Sequence, residues 1–142
     1  MPRESSPGWV RSVITVPIIA AQLAGTGLLP VLTSWVPGFK FRVQSMSFVA
    51  EVALAGAGGT QEFVLRKGGA AGTAIVACNA LLANDGAGEF NQVAVAAADM
   101  DDAYFNQDAD TLTINRTASG TAFTGGSGHL NVVIMSRPQA AL

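Results

Sequence analysis

Residues 123–138, FTGGSGHLNVVIMSRP, gather three glycines, a serine and the only histidine of the chain. A loop that cradles phosphate follows the pattern G-x-x-x-x-G-K-[ST] and opens a helix whose amides face the anion. No lysine follows Gly128, and the next residues alternate apolar and polar, as a strand does. A nucleophile elbow reads G-x-S-x-G at a strand-to-helix turn. Ser127 has Gly125 before it, but His129 stands where the second glycine belongs. Ser127 and His129 are two apart, so an extended chain puts them on one face. Any strand gives that proximity, and the pattern reads as a glycine turn feeding a last strand. The other nucleophile, Cys78, lies in AIVACNALL and is the only cysteine, so it forms no intramolecular disulfide. It is expected to be a small buried hydrophobe. A reactive thiol would need an activating partner, and the sequence places none beside it.

Metal chemistry finds little more. One histidine and one cysteine do not make a zinc site. Asp99, Asp101, Asp102, Asp108 and Asp110 offer the oxygen ligands that calcium takes, without the D-x-[DN]-x-[DN]-G spacing of an EF-hand. They read as a solvated acidic loop. The few aromatic residues are too spread to form a sugar platform, and the sequon NRT (115–117) falls inside a strand pattern. No catalytic residue, metal or cofactor is assigned.

The bulk composition bounds the class. A chain of 142 residues favours a single domain that folds without staples. Charged residues are only 13%, against about 25% in ordinary soluble domains. Alanine and glycine make up the apolar fraction more than aromatics do. Such an outer surface carries few charges, and other subunits are one way to cover it. The net charge of −2 and the scattered Lys and Arg argue against nucleic acid as a partner. Apolar runs fall short of the ~20 residues of a membrane helix, and VITVPIIAAQLAGTGLLPVL is broken by Pro17 and Pro30. The opening MPRESSPGWVRS has no short basic stretch followed by an apolar run, so no secretory signal is expected.

The elements follow from periodicity. Residues 1–11 read as an extended arm, since Pro2, Ser5, Ser6, Pro7 and Gly8 discourage regular structure. Trp9 either packs back on its own domain or anchors in a partner. A strand is expected over 12–20, with Ile14, Val16 and Ile18 on one face. Pro17 places it at a sheet edge or a bulge. A helical turn and a Gly25–Gly27 turn come next, then a short strand over 31–36. Residues 40–54 are the longest strand. Phe41 and Val43 fall out of parity with Met46, Phe48 and Ala50, which requires a bulge near Gln44. Further strands are expected over 60–68 (Phe63 and Leu65 inward), 73–77, 90–97, 111–118 and 129–136. Loops are expected over 83–89 and 99–110, and a turn over 119–128. About eight strands joined by short glycine-rich turns give an all-β, antiparallel β-sandwich or small barrel. The sandwich domain spans 12–137, and 138–142 form a tail.

The order of VITVPIIAAQLAG, WVPGFKFRVQSMSFVAEV, TAIVACNALL and DADTLTINRTASGTAFTGGSGHLNVVIM resembles small tailed-bacteriophage structural proteins of the head decoration (cement) or head-fibre type. Pro37-Gly38-Phe39, Asp110-Leu112-Ile114, and Phe123, Gly126-Ser127-Gly128, Leu130, Val132 and Ile134 match that pattern in order, over about residues 12–136. The resemblance implies a jelly-roll-like sandwich. It also implies homotrimers on the outer surface of the capsid, where several major capsid subunits meet.

A capsid decoration protein of the virion is therefore expected, with no enzymatic activity, no nucleic-acid partner and no membrane partner. Its partners are the major capsid protein and itself. Arg3, Trp9, Val10 and Arg11 are the expected capsid or subunit contacts, because a flexible arm can order on a neighbour and the contact repeats over the shell. Two rivals stand beside this. A spike or tail-associated adhesin would use Tyr104 and Phe105 in DMDDAYFNQDAD, and a small hydrolase would use Ser127 or Cys78.

Overall fold

Period-two alternation of apolar residues governs the described chain. In the computed structural model, residues 9–28, 40–56, 59–69, 71–81, 90–105 and 110–136 are described. Among them nine strands form: β1 (Val10–Ile18), β2 (Gly27–Leu28), β3 (Phe41–Ala55), β4 (Thr60–Lys67), β5 (Thr73–Leu81), β6 (Phe90–Ala94), β7 (Tyr104–Phe105), β8 (Leu112–Ser119) and β9 (Gly125–Ser136). One short helix, α1 (Ala20–Leu23), follows β1, and a 3₁₀ turn spans Ala97–Asp99.

All pairings among the described residues are antiparallel. One sheet runs β1-β9-β3-β6, with β7 also on β3; the other runs β2-β8-β4-β5. The pairs β1–β9, β2–β8, β3–β6 and β4–β5 nest inside one another, as in a long hairpin rolled up on itself. The fold is an all-β sandwich with jelly-roll connectivity. Pro17 lies on β1, an edge strand, where a missing N–H is tolerated.

The core lies between the sheets. The first sheet supplies Val16, Ile18, Phe41, Val43, Met46, Phe48, Leu130, Val132 and Ile134; the second supplies Phe63, Leu65, Cys78, Leu112 and Ile114. Phe48 of β3 stacks on Phe63 of β4 across the sandwich, with ring centroids 5.7 Å apart. Full burial of each such ring stabilises by about 1.5–3 kcal/mol. The register of β3 against β9 shifts between Val43 and Ser45, so Gln44 is bulged. That bulge lets Phe41 and Val43 face the same core as Met46 and Phe48.

The glycines of TGGSGH are not the turn that the sequence suggested. β9 starts at Gly125, four residues before His129, and pairs along β3 through two further register shifts. Gly126 takes φ +103, a conformation that L side chains rarely adopt. At Gly128 a Cβ would lie 2.1 Å from the Val49 carbonyl oxygen and 2.8 Å from the Phe48 ring. The glycines let β9 pass close over β3, so this segment serves packing.

A second device holds α1 and β2 to the sandwich. The Arg116 guanidinium of β8 donates from Nη1 to Gln22 O (3.2 Å), from Nη2 to Thr26 O (3.0 Å) and Leu28 O (3.2 Å), and from Nε to Gly27 O (3.3 Å). Gln61 Nε2 donates to Gly25 O at 2.8 Å. Carbonyls left over where the helix ends thus find donors on the second sheet.

Elsewhere sequence and structure differ at element ends. β5 runs past Ala77 to Leu81, because Cys78 and Ala80 continue the inward alternation. β6 stops at Ala94, where the chain turns inward at Val95 and into the 3₁₀ turn. The two-residue strands β2 and β7 had no periodicity to show them. The strand expected over 31–36, the loop over 83–89 and the tail lie outside the described residues.

Two substitutions test these devices. Gly128→Ala forces the Phe48 ring and the Val49 backbone apart, and a stability loss of about 3 kcal/mol is expected in thermal unfolding. Arg116→Met keeps the stem and removes every donor. A lower urea midpoint at unchanged slope is expected, worth about 1–2 kcal/mol because part of the set faces solvent.

Candidate functional site

Each expected contact residue has a definite place, except Arg3, which lies outside the described residues. Val10 and Arg11 open β1, opposite Ser136 and Met135 of β9, so they belong to the sheet. Trp9 packs back on its own domain and stays 41% exposed. Its ring centroid lies 6.4 Å from that of Tyr104, and the Arg42 guanidinium sits 5.4 Å from the Trp9 centroid and 5.8 Å from the Tyr104 centroid. A cation held against two rings is attracted by their negative faces. Tyr104 is 43% exposed and its neighbour Phe105 is buried, stacked on Phe41 at 4.9 Å. Lys67 Nζ lies 5.7 Å from the Phe105 centroid and donates to Tyr104 O at 2.9 Å. The sequence marked Trp9 and Tyr104. It gave no sign of Arg42, which joins them only through the pairing of β3 with β7.

From this cluster the outer face of the first sheet extends across β1, β9, β3 and β6. Three successive cross-strand rows carry no Asp, Glu, Lys or Arg: Val13, Val133, Ser45 and Ala94; Thr15, Asn131, Ser47 and Gln92; Pro17, His129 and Val49 beside Phe90. Val13, Thr15, Pro17, Gln92 and Ala94 are exposed. Thr15 Oγ1 donates to Asn131 Oδ1 at 2.9 Å, a cross-strand polar pair. Ser45 and Val133, in the middle of the first row, are buried, and the exposed part of the face lies toward β1 and β6.

At the far end of this face His129 Nδ1 lies 2.7 Å from Glu51 Oε1. Glu51 occupies the register shift between Ala50 and Val52, which aims it at β9. A catalytic base oriented by a carboxylate uses the same Nδ1 contact. Ser127 lies on the same strand face, but no hydrogen bond joins it to His129. Nucleophile and base are therefore not coupled, and the pair ties β3 to β9 on an open surface.

Cys78 is fully buried, and burial, with Glu62 adding to it, pushes its thiol up to about 12. No group of three or more His, Cys, Asp or Glu that could hold a metal ion occurs among the described residues. Asp108 lies outside them. No helix among the described residues is long and apolar enough to cross a membrane.

Compared with models of protein families, with curated proteins and with solved structures, the chain matches none.

The Cys78 thiol gives a direct test. Native protein at pH 8 is expected to resist a thiol-specific reagent that labels the unfolded chain at once. Its folded pKa is raised, so its contribution to stability is full below about pH 9. That contribution falls as pH rises from the ordinary thiol value of 9.0 toward about 12, because only the unfolded thiol then ionises.

Proposed function

We propose that the chain is a non-enzymatic structural protein of a bacteriophage virion. It sits on the outer capsid surface as a homo-oligomer, a trimer on the family resemblance, and steadies the lattice of the major capsid protein. The observation that carries this reading is the run of three rows without Asp, Glu, Lys or Arg across the outer face of the first sheet. The first two rows cost little to desolvate, since they hold no ionisable side chain that has to leave water. A weak contact of this kind gains strength when an oligomer repeats it over a shell. The jelly-roll connectivity agrees with the resemblance, although folds host many functions.

A second reading, a spike or tail adhesin, draws support from half-exposed Tyr104 beside Asp101 and Asp102. Phe105 does not join that surface, because it is buried under Phe41. The hydrolase reading rests on Ser127 or Cys78; the first lacks a bonded base and the second is a buried, protonated thiol.

Virions that carry this protein test the assignment. Decoration predicts a copy number comparable to that of the major capsid protein, and a few copies per particle would instead fit a tail adhesin. Thr15→Lys and Gln92→Glu place charges on the uncharged rows. They should leave unfolding within about 0.5 kcal/mol of wild type while lowering particle occupancy at least tenfold. Full occupancy by both variants would show that this face does not meet the shell.

A further inference from the structure

Arg11, Met135, Arg42 and Tyr104 form one cross-strand row at the end of the first sheet, from β1 through β9 and β3 to β7. Trp9 lies against Arg42 and Tyr104 in the same cluster. The row is ordered by charge. Arg11 and Arg42 lie on its β1 and β3 positions, and Asp101 and Asp102, both exposed, lie in the turn just before β7. The Ala103 carbonyl accepts from Val43 N–H at 3.0 Å, which fixes that turn beside β3. Arg42 forms no ion pair among the described residues, and its Nε is buried without a hydrogen-bond partner. The guanidinium is held by the faces of two rings, which leaves its plane unmatched by any carboxylate.

We infer that this patch is a contact between two copies of the chain, in which the Arg11–Arg42 side of one copy meets the Asp101–Asp102 side of the next around the half-exposed Trp9 and Tyr104 rings. A partner that is only acidic would be repelled by Asp101 and Asp102, and one that is only basic by Arg11 and Arg42. A second copy carries both signs in the required order, so each cation side finds an acid side. Trp, Tyr and Arg are also the residues that dominate binding at protein interfaces. The cation–ring stack holds Arg42 in place before binding, so little freedom is lost when a carboxylate arrives. This deepens the reading above, on which it rests for the expectation that copies associate. The uncharged rows are left for the shell.

The test uses the full chain at micromolar concentration in low salt, with mass followed by sedimentation. Wild type is expected to associate, and to dissociate at high salt. Arg42→Glu alone and the double variant Asp101→Lys/Asp102→Lys alone are expected to sediment as monomers with wild-type circular dichroism. Mixed together they are expected to regain association, because the reversed charges match across copies. Arg11→Glu, at an exposed position, replaces Arg42→Glu if that variant does not fold. A wild type that is monomeric throughout overturns the inference. So does an oligomer that neither variant weakens, which would place the contact elsewhere. Variants that keep their mass but lose particle occupancy would assign the patch to the shell and also overturn it. Monomeric variants that still decorate particles, at reduced occupancy, would support it and leave the shell assignment standing.

Discussion

The close passage of β9 over β3 is the constraint on which the rest of the fold depends. Among the described residues β1 pairs only with β9, and β6 and β7 only with β3, so the first sheet is built outward from this one pair. The pair works because Gly128 has no side chain where the Phe48 ring and the Val49 carbonyl approach it. Phe48 can then lie flat enough to stack on Phe63 of the other sheet. One missing Cβ thereby links strand pairing within a sheet to packing between sheets. Glycine in a strand ordinarily weakens it, but where backbones must approach closely it is the residue that fits.

The same passage shapes the surface. Its three register shifts place Gln44 and Glu51 out of the regular alternation. The first brings Phe41 and Val43 into the core and leaves Arg42 outward, beneath Trp9 and Tyr104. The second turns Glu51 toward His129. Between these two ends lie the rows of Thr15 and Val13, which hold no ionisable side chain. Arg11, Arg42 and Glu51 of the face therefore sit where the strands are bulged or end, and His129 is held by Glu51.

Much of the fold was legible in the sequence. Parity placed Ile14, Val16 and Ile18 on one face of β1, Phe63 and Leu65 inside β4, and Leu130, Val132 and Ile134 inside β9. It also required the bulge at Gln44, since Phe41 and Val43 could not otherwise share a core with Met46. What failed were boundaries without parity. Gly125 to Gly128 carry almost no side chains, so nothing in the residues told a strand from a turn. Alanine favours helices and is depleted in strands, which hid the continuation of β5 beyond Ala77. The surface was less legible than the core. Arg42 meets Trp9 and Tyr104 because strands distant in sequence become neighbours, and no local spacing reports that. Arg116 was one of several scattered cations until β2 came to lie beside it.

Arg116 also bears on the order in which the molecule forms. Its carbonyl partners lie 88–94 residues away in sequence. The helix they flank has only four residues and no stability of its own. The segment from Gln22 to Leu28 thus has little reason to hold its shape until β8 is in place. It is expected to close late in the folding chain, and to release its amides to solvent exchange when the second sheet loosens.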